Sequence, residues 1–381
     1  MSTDPADKQP LDPRDDVRGR SRVQDTPELR AYYDELARHS TLAFWTRAND
    51  IEPWEPQTRY VPTLWPYRTM RDLVLRSADL VDPARAGRRV VVLINDSDAG
   101  RHYTAACGWL FSGLQVMRPG EITPAHRHTA SAHRFIMEGA GAYTVVDGHR
   151  ITLEKHDYVL TPNGCWHDHG VTADGKTSIW QDGLDIPLMN ILETNFYEVY
   201  PEEAQQRQYP ENDSPRTWGG APGLLPSRLE QWQAPWSPLM VYRWREVRPA
   251  LVEFSSVQKP DPFDGHIMRY SNPLSGGWAM KTLGAQMQLL PGGFEGAAHR
   301  HTGNVVYNVA EGRGYTQVGD HRFEWSEHDV FCVPSWTWHR HVNLDSQAPA
   351  FLFSFNDFPV VESLGTYVEQ PEGSDHSKSV F

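Results

Sequence analysis

Residues 120–169 read GEITPAHRHTASAHRFIMEGAGAYTVVDGHRITLEKHDYVLTPNGCWHDH, and residues 293–341 read GFEGAAHRHTGNVVYNVAEGRGYTQVGDHRFEWSEHDVFCVPSWTWHRH. At a shift of 173 the second stretch lies on the first. Gly120 meets Gly293, His126 meets His299, His128 meets His301, Glu138 meets Glu311, and Gly139 and Gly141 meet Gly312 and Gly314. One residue drops out of the next hairpin. At a shift of 172, His156-Asp157 then meets His328-Asp329, Pro162 meets Pro334, Trp166-His167 meets Trp338-His339, and His169 meets His341. Gln115 and Gln288 extend the match upstream. The paired residues are mostly Gly, Pro and His, whose placement composition alone seldom repeats, so the chain carries two copies of one domain. Within each copy, short runs such as RFIMEGAGAYTVV and DYVLTPNG are punctuated by Gly, Pro and Asn-Gly. Strands of this length and spacing predict an all-β sandwich or barrel, with a few helices elsewhere.

Outward from the repeat, the chain divides by texture. Residues 1–25 are polar and charged and read as a disordered arm. Residues 26–86 form a helical and loop region. Thr26-Pro27 is a cap and first helical residue, and a second helix is predicted over 67–80 with Met70, Leu73, Val74 and Ser77 on one face. Trp45, Trp54 and Trp65 lie in Pro-rich loops there and are read as packing or oligomer contacts. The first β-domain spans 87–190 and the second 281–365. Between them runs a Pro- and Trp-rich linker, 191–280, with one helical stretch, and residues 366–381 form a tail.

The chain has 381 residues, with 36 Lys and Arg against 49 Asp and Glu, a net charge of −13. That balance argues against nucleic acid or an anionic membrane as partner. No apolar run reaches the roughly 20 residues of a membrane span. Cys107, Cys165 and Cys332 are isolated and odd in number, which fits the reducing cytoplasm.

Thirteen of the 17 histidines fall in windows 126–169 and 299–341, so metal chemistry leads. In a strand, residues two apart share a face, so His126-x-His128 and His299-x-His301 each set two imidazoles side by side. A third histidine about forty residues on, His167 or His339, completes each set. Three neutral nitrogen donors suit a first-row divalent ion and leave positions open for substrate and water. His133 has the opposite parity to His126 and Arg134, which places it outward or at an interface rather than among the ligands.

The pattern Gly120-x5-His126-x-His128, then Arg134-Phe-Ile-Met-Glu-Gly139, then Pro162-x4-His167 resembles the two cupin motifs. Neither copy has the carboxylate that most cupins place shortly after the HxH pair. The stretches PAHRHTASAHRFIMEGAGAYTVVDG, TPNGCWHDHG and WQDGLDIP resemble the gentisate 1,2-dioxygenase family, with its salicylate and 1-hydroxy-2-naphthoate relatives. The resemblance implies a bicupin of two jelly-roll (double-stranded β-helix) barrels, commonly a homotetramer. It also implies Fe(II) and dioxygen cleaving the ring of a small aromatic hydroxy acid. On that resemblance His126, His128 and His167 are the iron ligands. Arg134 clamps the substrate carboxylate, and its planar fork suits that role. His169 acts on dioxygen or on the hydroxyl proton, and Asp182 meets the far hydroxyl of gentisate. Phe111, Gly113 and Gln115 line the pocket, and Arg88 or Arg89 adds a second charge. Tyr307 stands where Arg134 does in the first copy, so His299, His301 and His339 are expected to hold at most a second, non-catalytic metal.

Overall fold

The computed structural model describes residues 26–220, 223–227, 232 and 234–374; the 1–25 arm and the last part of the tail lie outside the described residues. Residues up to Gln57 and those from Thr58 onward are separate compact units. In the first, the helix Pro27–Arg38 starts where the cap predicts, with the Thr26 hydroxyl accepting from the Leu29 amide at 3.3 Å. Trp45 and Trp54 are exposed, and the Trp45 indole donates to Tyr33.

The second unit holds both β-domains. In the first copy, the strands Ala132–Val146 and His167–Leu184 are long enough to run through a whole sheet, and the others assemble on them. In the second copy the same path is broken. One sheet holds Gly284–Leu290, Val305–Glu311, Val330–Val333 and Ala350–Asn356, and the other holds His299–His301, Arg313–Val318, His321–Ser326 and His339–Asn343. The sheets form two jelly rolls that stay open rather than closing into continuous barrels.

The two copies exchange edge strands. Thr63–Trp65, ahead of the first domain, pairs with Val330–Val333 of the second. Val241–Tyr242, ahead of the second, pairs with Tyr158–Thr161 of the first. These receiving strands occupy equivalent repeat positions. A shared core lies between the domains, with Phe135 stacked on Phe353 at 4.2 Å and Leu114, Met287 and Phe355 buried around them.

The helix Tyr67–Leu80 has the predicted limits, but its buried face is Tyr67, Val74 and Ala78. Leu73 is exposed, a phase difference of one position on the wheel. The linker supplies the helix Trp244–Val257, whose Leu251 enters the shared core.

Candidate active site

Antiparallel pairing sets His126 directly opposite His167, and one extra residue between Thr123 and His126 breaks the register just before the ligands. His126, His128 and His167 come together with one ring nitrogen each within 4.8 Å of the others. Each Nδ1 lies against a backbone carbonyl: Pro124 at 2.8 Å, Ala130 at 2.8 Å and Cys165 at 2.9 Å. A carbonyl only accepts, so each Nδ1 carries the proton and each Nε2 keeps its lone pair. All three Nε2 atoms are buried with no protein partner. Burial, then the charge of Arg88, pushes His126 down to about 3 and His128 down to about 4, and burial holds His167 well below the ordinary value. Neutral, tautomer-locked imidazoles with three converging unpartnered nitrogens fit a divalent metal.

Arg134 is fully buried and lies across the ladder from Asp182. Its Nε is 3.2 Å from Asp182 Oδ1, a charge contact without hydrogen-bond alignment, and its Nη1 donates to Thr161 Oγ1. Burial pulls Arg134 down to about 10 and lifts Asp182, and each charge opposes the shift of the other. Asp182 therefore has a partner that its Asp-Gly sequence context does not reveal.

His169 is buried, with Nδ1 2.8 Å from the Thr144 hydroxyl, which itself donates to the Asp168 carbonyl. That chain leaves Nε2 as the unprotonated nitrogen, again without a partner. Arg88 and Arg89 part company, as alternation requires. Arg89 is buried and tied to Glu121 and to the carbonyls of Ala78 and Val81. Arg88 lies over the Tyr197 ring, and its charge lowers the basicity of His126, His128 and His169. Gln115 donates to Thr123 and leaves its Oε1 buried and unpartnered. A Cβ on Gly113 would stand 2.5 Å from Val90 Cγ1, so this glycine admits the neighbouring strand Val90–Val92. Phe111 packs partly buried against Ala130, Leu184 and Met189.

His133 faces away from the triad into the shared core, 4.5 Å from Phe355 and 5.3 Å from Tyr158 between ring centroids. Gly183 is required beside it, since a Cβ there would meet His133 Nε2. Burial pushes His133 down to about 3, against roughly 6.5 in the unfolded chain. The neutral form is thus favoured by folding. That contribution is intact above about pH 6.5 and is lost as pH falls toward 3, at about 1.4 kcal/mol per unit. His133→Leu is expected to lose about 2 kcal/mol less stability than the parent between pH 6 and 4. Urea unfolding at a series of pH values checks it, and parallel curves would refute the assignment.

The second copy repeats the scaffold and replaces the cationic neighbours of the triad with acidic residues. His299 lies opposite His339, the ring nitrogens of His299, His301 and His339 lie within 4.8 Å, and Thr316 meets His341 Nδ1 at 2.9 Å as Thr144 meets His169. The ladder partners Arg134 and Asp182 become Tyr307 and Ser354. Opposite His128 stands Tyr197, stacked on His126 at 5.2 Å; opposite His301 stands Glu369. Asp264, held at 2.7 Å by Gln288, approaches His299 and His341 to 3.9 Å.

Reading the sequence alone overlooks Thr144, Thr161, Tyr197, Asp264 and Glu369. Only Thr144 carried a signal, as Tyr-Thr recurs at 315–316. The others reach the sites from distant strands and loops.

A pair of jelly rolls, one enclosing three imidazoles placed to hold a metal beside a buried arginine, marks the two-domain cupin class. A family profile described as the cupin domain matches residues 113–186 and 285–356. A gentisate 1,2-dioxygenase of Aquipseudomonas alcaligenes is 36% identical over 90% of this chain and 96% of its own length. A 5-aminosalicylate 1,2-dioxygenase of Comamonas is 36% identical over 90% of each. The crystal structure of a salicylate 1,2-dioxygenase variant from Pseudoaminobacter salicylatoxidans with gentisate superposes with a TM-score of 0.83 at 32% identity, covering 93% of this chain and 97% of that one. The chain belongs to the gentisate 1,2-dioxygenase family of ring-cleaving dioxygenases.

Proposed function

We propose that the first jelly roll cleaves gentisate between its carboxylated carbon and the adjacent hydroxylated carbon, using dioxygen, to give maleylpyruvate. The observation that carries this reading is the neutral triad His126, His128 and His167 beside the buried Arg134–Asp182 pair. Fe(II) held by these three Nε2 atoms would supply chelation of the carboxylate and ortho hydroxyl and activation of dioxygen, and the absence of a ligating carboxylate suits a dianionic chelator. Arg134, with the charge of Arg88 beside the triad, binds the substrate carboxylate. Asp182 orients Arg134 and offers acceptor capacity to the second ring hydroxyl. His169 Nε2 takes the proton of the ortho hydroxyl, and Thr144 holds that ring in the tautomer which can accept it. Gln115 and Phe111 bound the pocket. His169→Ala is expected to lower kcat about 100-fold with little change in KM, read by steady-state oxygen uptake; an unchanged kcat would remove His169 from the proton path.

A second reading is the same cleavage of salicylate, a substituted salicylate or 1-hydroxy-2-naphthoate. It draws support from Asp182, which is already engaged by Arg134 and so less free to read a hydroxyl. Oxygen uptake by the iron-loaded protein, measured on gentisate, 5-aminosalicylate, salicylate and 1-hydroxy-2-naphthoate, separates the readings. No uptake on any of them would leave only a metal-binding role.

His299, His301 and His339 would hold a second, non-catalytic metal, since Tyr307 there cannot supply the charge that Arg134 offers an anionic substrate. The assembly is proposed to be a tetramer in the cytoplasm, in keeping with the family's habit and three unbridged cysteines.

A further inference from the structure

His156 and His328, which the repeat places at the same position, take no part in either triad or in the chemistry beside it. His156 lies inside the turn Glu154–Asp157 of the first domain, and His328 inside Ser326–Asp329 of the second; the Asp157 and Asp329 amides close them. Each turn is locked by its aspartate. Asp157 Oδ2 accepts from the Glu154 amide at 3.0 Å, and Asp329 Oδ2 accepts from the Ser326 amide at 2.8 Å. Both histidines adopt left-handed backbone, with φ of 65° and 71°. Gly or Asn would sit there with less strain, so the side chain is what the position retains. The rings meet across the domain boundary at 5.4 Å between centroids. Phe135 stacks on His156 and Trp244 meets it edge-on, while Tyr67 meets His328 edge-on, so aromatic neighbours hold both planes.

Both rings are buried, His156 at 3% exposure and His328 at 7%, and His156 Nε2 has no partner. Burial keeps both neutral, pushing His156 down to about 2 and His328 down to about 4. Glu327 reaches over them. Its Oε1 lies 3.5 Å from His328 Nε2 and 3.9 Å from His156 Nε2, and one donor atom from each residue lies within 4.8 Å of the others. The same oxygen receives Lys155 Nζ at 2.5 Å in a half-exposed ion pair. Glu138, the other nearby carboxylate, is engaged by Tyr67 and Arg71.

We propose that His156, His328 and Glu327 form a third metal site, a two-histidine, one-carboxylate clip for a divalent cation of the Zn(II) type, joining the turns of the two domains. Two neutral imidazoles and one carboxylate suit borderline first-row ions, and half-exposed Glu327 leaves a path for entry and positions for water. Lys155 is the resident competitor. An exposed ion pair is worth little, so a metal can displace it.

The test is Zn(II) stoichiometry and affinity on the full-length, metal-stripped protein, measured by equilibrium dialysis with elemental analysis. Glu327→Gln, a half-exposed change, is expected to leave the circular dichroism spectrum unchanged. It is expected to weaken one Zn(II) equivalent by more than the roughly 10–100-fold that loss of a supporting group costs, with the other equivalents unmoved. Lys155→Ala is expected to tighten that same equivalent about two- to five-fold, the worth of the displaced ion pair. Equal stoichiometry and affinity in Glu327→Gln and the parent would overturn the site, as would a Lys155→Ala change that loosens binding.

Discussion

Arg134→Ala is expected to raise KM for the hydroxybenzoate by about 10²–10³-fold while the protein keeps its metal. The guanidinium is fully buried, so its charge is not diluted by water and its contact with a carboxylate is worth about 2–5 kcal/mol. Each 1.4 kcal/mol is about tenfold. The variant also strands Asp182, a buried carboxylate whose cation has gone, and breaking such a pair costs about 3–5 kcal/mol of stability. Two effects must therefore be separated. Arg134→Ala with Asp182→Asn removes the stranded charge, so stability to urea is expected to recover while KM stays high. Were KM to recover with stability, Arg134 would be a structural partner of Asp182 and no clamp. Arg134→Lys is expected to fall between, since it keeps charge but loses the fork.

The second large effect sets His167→Ala against its repeat partner His339→Ala. Removing His167 takes away one of three converging nitrogens that no carboxylate replaces, and turnover is expected to fall by at least ~10³-fold with loss of one bound metal. His339→Ala is expected to lower metal content as well, yet leave kcat/KM within about threefold, because the second triad faces Tyr307, Ser354, Asp264 and Glu369 where the first faces Arg134, Asp182 and Arg88. Metal analysis and oxygen uptake on both variants decide it. Equal loss of activity from the two would mean that the domains share one catalytic function.

The repeat, the jelly-roll class and both triads were legible because they rest on local spacing. HxH fixes two side chains by strand alternation alone, and a shift of 173 needs no knowledge of pairing. What was hidden depends on which strands meet. Arg134 and Asp182 are ladder partners 48 residues apart, and nothing near either one announces the other. The choice between Arg88 and Arg89 needs the phase of one strand against the pocket, which alternation leaves open until a partner such as Glu121 takes one of them. The packing role of Gly113 was hidden too, because the sequence does not say that Val90 stands where its side chain would be. Leu73 falls outside the buried face because the apolar pattern on the helix is broad, and packing on Val74 and Ala78 sets the rotation.

The exchange of edge strands bears on how far each half could live alone. A chain cut in the linker ahead of Val241 would strand Thr63–Trp65 on the fragment that does not use it, and Val241–Tyr242 on the other. Tyr158–Thr161 and Val330–Val333 would then each present a bare hydrogen-bonding edge, the kind of surface that recruits foreign strands. The two copies are thus a duplicated gene product that has lost its modularity. Co-expressing the two fragments is expected to restore the strand exchange, whereas expressing one half in isolation is not.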